Sequence, residues 1–134
     1  MTDFWKGMAT QSSIELNKAL STLNKEERTR LESGMISILR KEAETLGARK
    51  PIWLVVGHDY DTAMRHADEL TDGEDWRIIL IPHHSGQNQG KGSLKRWNYL
   101  SLLTMYKSIQ DACNRLGRPW NVDAEAQARF ATMA

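Results

Sequence analysis

Ile52-Trp53-Leu54-Val55-Val56, bounded by Pro51 and Gly57, and Trp76-Arg77-Ile78-Ile79-Leu80-Ile81, closed by Pro82, are the stretches whose reading decides the fold. Each is a short apolar run rich in β-branched residues, the pattern of a strand buried on both faces. Between them Asp61 or Thr62 can cap a helix running to about Leu70, with Ala63, Met64, Ala67 and Leu70 turned inward. Residues 71–75, Thr-Asp-Gly-Glu-Asp, form a turn. Strand, helix and strand thus fill residues 52–81, the length of a βαβ unit. The two strands are therefore expected to be parallel, with a right-handed crossover.

Outward toward the N-terminus the apolar period becomes helical. Leu16, Ala19, Leu20 and Leu23 make one stripe, and Leu31, Met35, Ile38, Leu39 and Leu46 a second, interrupted once by Glu42. Asn24 stands between them as an N-cap, followed by Lys25-Glu26-Glu27, whose carboxylates suit a first helical turn. Gly47 is placed to end the second helix. Residues 12–46 therefore read as a helical hairpin, or one long helix broken near Asn24. Gly34 lies inside it, where close packing or a kink would explain a glycine. Residues 1–11, with Phe4, Trp5 and Met8, read as an arm.

Outward in the other direction, residues 83–93 are polar, with three glycines, and read as a loop. Trp97, Leu100 and Leu103 open a long amphipathic helix that continues past Tyr99, Tyr106, Ile109, Cys113 and Leu116 until Gly117 and Pro119 stop it. Residues 118–134 form a C-terminal extension with a short helix from Ala124 to Met133, capped by Asn121 or Asp123. The expected fold is α/β: one domain over residues 1–134, with a helical hairpin, a βαβα core over 52–117, and the order α-α-β-α-β-α-α. Isolated two-stranded sheets are marginal. A homodimer or a protein partner extending or covering the sheet is therefore expected.

The chain has 134 residues, 18 Lys and Arg against 17 Asp and Glu, and 40% apolar residues plus 9 glycines. That is the composition of one globular domain, and it excludes a wholly cationic nucleic-acid coat or an acidic solvating tail. The single Cys113 cannot form an intrachain disulfide, and its place on an apolar helix face makes it a buried, inert thiol. The N-terminus lacks a cationic segment followed by an apolar run, and no stretch reaches the roughly 18 apolar residues of a membrane span. A cytoplasmic chain with no membrane partner is the expectation.

The near-neutral balance hides segregation. Residues 58–75 hold seven carboxylates against Arg65, a net −6, while residues 76–110 hold five cations and no carboxylate, a net +5. Opposite patches of this kind permit head-to-tail or self-complementary association. In open α/β sheets ligands sit beyond the carboxyl ends of the strands, and two chemically rich segments follow those ends. The first is the basic, Gly-rich stretch with Ser85, Gly86, Gly90, Lys91, Gly92, Ser93, Lys95 and Arg96. Glycines free backbone N–H groups, the following helix start adds partial positive charge, and the cations complete an anion site. It is not a P-loop, because Ser85 stands where the first Gly belongs and Gly92 where Ser or Thr belongs. The leading expectation is a small binding module for phosphate, a nucleotide or a nucleic-acid backbone, with Trp97 and Tyr99 near the cations.

The second segment is the set His58, Asp59, Asp61, His83 and His84. Imidazoles and carboxylates at converging strand ends can ligate Zn or Mn or act as acid and base, which gives a metal-assisted phosphoester hydrolase as an alternative. A third expectation is a non-enzymatic protein-interaction factor: an adaptor, an inhibitor or a small subunit of a larger complex. His66, on the acidic helix, reads as solvated.

Overall fold

The computed structural model describes residues 13–82, 98–118 and Trp120. Helix α1 (Ser13–Ser21) and helix α2 (Lys25–Thr45) form the first unit. Strand β1 (Trp53–Val56) leads directly into α3 (Gly57–Arg65), followed by α4 (Ala67–Thr71), a 3-10 turn (Asp75–Arg77) and strand β2 (Ile78–Ile81). Helix α5 (Tyr99–Arg115) completes the described chain. No described helix is long and apolar enough to cross a membrane. The arm over 1–11, the loop over 83–93, Trp97 and the helix from Ala124 to Met133 lie outside the described residues.

The break near Asn24 is real, and its chemistry is the one its residue types imply. Asn24 is extended, its side-chain oxygen accepts from the Glu27 backbone N–H at 2.8 Å, and its amide donates to Glu27 Oε1 at 2.9 Å. One N-cap therefore satisfies an orphan backbone donor and fixes a first-turn carboxylate. Helix α5 starts the same way at Asn98, in a reciprocal capping box with Ser101. Gly47 and Gly117 take positive φ, and the N–H of the next residue reaches back five positions, Ala48 to Ala43 and Arg118 to Cys113, both at 2.9 Å.

The two strands pair in parallel, Trp53 with Ile78 through Val56 with Ile81. Trp53, Val55 and Ile78 face a core made with Met35, Ile36, Leu39, Ala63 and Leu70. Helix α5 packs along β2 and the 3-10 turn, and Ile79, on the other face, is buried. Leu54 shares that second face but is 53% exposed. Burial of both faces thus holds for the start of β2 and fails for β1, because α5 lies over one strand and not the other.

Three further expectations need correction. The connection between the strands is two helices, not one, and it starts at Gly57 with no loop before it. The α2 stripe is rotated: Ile36 and Glu32 are buried, whereas Ile38 and Leu46 are 41% and 85% exposed. Gly34 is exposed, and a Cβ there would meet nothing within 4 Å, so close packing does not account for it. Cys113 is buried and free, as its helix face implies.

Gly34→Ala removes backbone entropy from the unfolded chain and fits the native helix without a clash. It should stabilise the protein by about 0.5–1 kcal/mol, while Asn24→Ala should cost about 0.5–2 kcal/mol. Opposite shifts of the urea midpoint, at unchanged m-value, check both.

Candidate functional site

The parallel register ends both strands at one edge of the sheet, Val56 beside Ile81. Helix α3 begins there at once. Its N-cap, Val56, makes no side-chain cap hydrogen bond there. Of the acid–base set, His58 and Asp59 lie in the first turn of α3 and Asp61 in the next. Asp59 is half-buried and Asp61 exposed. Two residues apart on a helix means roughly 200° around its axis, so these two carboxylates occupy different faces. Among the described residues no group of three His, Cys, Asp or Glu side chains could hold a metal ion. His83, His84 and the anion-loop residues from Ser85 to Arg96 lie outside the described residues.

The strongest concentration of ionisable groups is elsewhere, around His66. His66 is the junction of α3 and α4 and is only 5% exposed, which overturns its reading as a solvated residue. Its Nε2 lies 2.9 Å from Glu32 Oε1, and its Nδ1 lies 2.9 Å from Glu69 Oε1. Glu32 is itself 2% exposed and projects from α2. Its second oxygen accepts from Arg28 Nε at 3.2 Å and from an Arg65 terminal nitrogen at 3.0 Å. Arg65 also donates to Thr62 Oγ1, and Ser33 Oγ donates to Glu69. Two helices and the junction between them thus meet α2 through one connected polar network.

An ionised carboxylate can only accept, so with Glu32 and Glu69 both ionised the two contacts are satisfied together only when both ring nitrogens donate, as in the doubly protonated imidazolium. Burial disfavours that charge, but the hydrogen bonds to Glu69 and Glu32 and their negative charges outweigh it and hold His66 above its usual 6.5. Burial likewise opposes ionisation of Glu32. The hydrogen bonds from His66 and Arg28 and the charge of Arg65 overcome it, keeping the carboxyl below its usual 4.5. Glu69 is lowered chiefly by its bond from His66.

A second buried cation lies where the two strands enter the sheet. Arg77, counted above as part of a basic stretch, is 3% exposed. It donates to the Pro51 carbonyl at 3.0 Å and the Thr71 carbonyl at 2.7 Å, and its Nε lies 3.3 Å from Glu74. It ties the entry of β1 to the end of α4 and has a structural part, not a ligand-facing one. Arg118 makes a similar tie from beyond α5, donating to the carbonyls of Arg49 and Lys50.

Beside these ties the surface is apolar. A groove of about 760 Å³ opens between the C-terminal half of α2 and the entry to β1, with Ile38, Leu39, Leu46, Pro51, Ile52 and Trp53 in its wall. A smaller cavity of about 300 Å³ adjoins it, sharing Trp53 and Pro51 and lined by Arg40, Arg49, Lys50 and Arg77 against Glu44 and Asp72. The buried indole N–H of Trp53 finds no acceptor among the described residues. Sequence pattern missed this face because Ile38 and Leu46 fit the same helical stripe as the core residues. It missed the His66 network because Glu32 and His66 are 34 positions apart; only the His66–Glu69 and Arg28–Glu32 spacings were visible. No protein-family model, no curated protein and no solved structure matches the chain.

Removing one member of a buried charge cluster leaves the others uncompensated, typically at about 3–5 kcal/mol. Glu32→Ala should lose stability on that scale, because His66, Arg28 and Arg65 all lose an acceptor. Replacing the pair together, Glu32→Met with His66→Leu, should recover most of the loss. Chemical denaturation of the single and double variants measures both.

Proposed function

We propose that the chain is a protein-interaction factor that docks an extended partner segment against the groove between α2 and β1. The observation that carries this reading is Leu46, 85% exposed yet part of a groove wall with Ile38 and Ile52. Contiguous exposed apolar surface rimmed by charge is characteristic of interaction sites. The partner's chemistry follows from the lining. Apolar side chains suit the larger groove. An acidic flank suits the neighbouring cavity, where Arg49 and Lys50 are exposed, Arg40 being paired with Asp72 and Arg77 held on backbone carbonyls. Among the described residues β1 pairs only with β2, so its other edge supports recognition of an extended backbone by strand addition.

A random peptide library displayed on phage and selected on the full chain tests the reading. Selected peptides should combine apolar residues with an acidic flank. Leu46→Asp and Ile38→Asp, both at exposed positions, should weaken the best peptide by about tenfold or more, the scale of an interface anchor. Failure to enrich any peptide, or equal binding by both variants, would overturn it. Light scattering on the same proteins covers the other occupant: a dimer dissociated by either substitution replaces the peptide by a second copy.

Anion binding through the Gly-rich stretch is the second reading. It draws support from the α3 N-terminus, which lacks a side-chain cap at the edge where β2 ends. Lys91, Lys95 and Arg96 would contribute the charge and Ser85, Gly86, Gly90, Gly92 and Ser93 the backbone contacts. A fluorescent single-stranded oligonucleotide at low salt is the probe. Alanine at Lys91, Lys95 and Arg96 together should abolish its binding while the protein stays folded, and unchanged affinity would sink the reading.

A further inference from the structure

The network around His66 sits where the connection between the strands breaks. The α3 helix ends at Arg65 and α4 starts at Ala67. Every element packed there contributes a polar or charged group. From α2 come Glu32, Arg28 through the second oxygen of Glu32, and Ser33; from α3 come Arg65 and Thr62; from α4 comes Glu69. All of these bonds form one chain whose centre is the imidazolium.

We propose that His66 is a proton-operated latch that holds α4 against α2. With both ring nitrogens protonated, His66 donates to Glu32 on one side and Glu69 on the other. When one proton leaves for solvent, one ring nitrogen turns a lone pair toward a carboxylate that can only accept. The two sides are not equivalent. The Glu32 side chain is 3% exposed and cannot reach water, whereas that of Glu69 is 49% exposed. The neutral ring therefore keeps its N–H toward Glu32, and Glu69 swings outward. Glu69 lies in the middle of α4, a five-residue helix too short to hold itself. Its release loosens the segment that Arg40 grips through the Glu69 carbonyl and the Asp72 carboxylate. Arg77 meets the same segment through the Thr71 carbonyl.

The signs fix the pH window. His66 is raised above 6.5, so its contribution is complete below that value and is lost as pH rises through its folded value. Glu32 and Glu69 are lowered below 4.5, so theirs is complete above that value and is lost as pH falls through their folded values. The latch is thus fully closed between 4.5 and 6.5 and opens on the alkaline side by loss of the His66 proton.

Nitrogen-resolved NMR of the His66 ring, with hydrogen exchange of the Leu70 and Asp72 amides, tests this on the full chain. The pH should run from about 5.5 to about 9, spanning the range in which histidine changes charge. Exchange at the buried α2 residues Met35 and Ile36 serves as the internal reference, which cancels base catalysis. Both ring nitrogens should be protonated at the acid end, with a midpoint above 6.5. Across that midpoint the α4 amides should lose about tenfold or more protection relative to α2. In Glu69→Gln, at a half-exposed position, the midpoint should fall and the change in protection should move with it. A neutral ring at the acid end, α4 exchange that tracks α2 throughout, or a midpoint unmoved in Glu69→Gln would each overturn the latch.

Discussion

The imidazolium of His66, held between the carboxylates of Glu32 and Glu69, is the constraint from which the described fold hangs. Its partners are 34 positions upstream and three downstream, so one ring fixes the packing of α2 against the α3–α4 junction. A buried ion pair is weak evidence for stability, since hydrophobic replacements of matching volume often do as well. Its contribution here is to register. Beside it lie the apolar contacts of Met35, Ile36 and Leu39 with Ala63 and Leu70, which are non-directional and tolerate sliding. Hydrogen bonds to both ring nitrogens do not. Arg77 performs a matching task at the end of α4, where its guanidinium joins the Pro51 and Thr71 carbonyls and so sets where β1 enters beside α4.

A sheet this small leaves surface uncovered. Two parallel strands of four residues offer two faces, and α2, α3 and α5 divide them unevenly. The face toward α2 is filled at Trp53, Val55 and Ile78. On the other face α5 follows β2, so Ile79 is enclosed while Leu54 is left in solvent. On α2, Ile38 stands on the face turned away from the core between Ile36 and Leu39, and Leu46 follows as the exposed C-cap. The groove beside β1 lies between this exposed apolar surface and the entry to the four-residue strand.

What could be read from the sequence was whatever depends on neighbours a few residues away. Asn24 as a cap, Gly47 and Gly117 as helix ends, and the two apolar runs as parallel strands all rest on local chemistry or on a single period. The α2 stripe failed where a tertiary partner decides burial. Ile36 and Glu32 point inward because β2, α3 and α4 lie there, and nothing within the helix distinguishes Leu39 from Leu46. The single expected helix between the strands failed at His66, whose backbone φ of −109 leaves the helical region so that its ring can meet Glu32. The candidate sites were legible only as positions at strand ends. Of the acid–base set, Asp59 and Asp61 are described on α3, where helical periodicity sends them to different faces.

The segregated charge acquires a different meaning once its partners are named. The acidic stretch reads as a surface waiting for a basic one, yet Glu69 serves His66 and Asp72 receives a two-pronged contact from Arg40. Glu74 faces both Lys50 and Arg77. In the basic stretch Arg77 is buried on backbone carbonyls. Glu69, Asp72 and Glu74 are therefore matched inside the molecule, by His66, by Arg40 of α2, and by Lys50 with Arg77. The exposed contribution left to a partner is apolar, at Ile38, Leu46 and Leu54, with Arg49 and Lys50 at its margin. Charge in this chain orients helices against one another, and the surface that remains open is the apolar one between α2 and the entry to a sheet too narrow to close it.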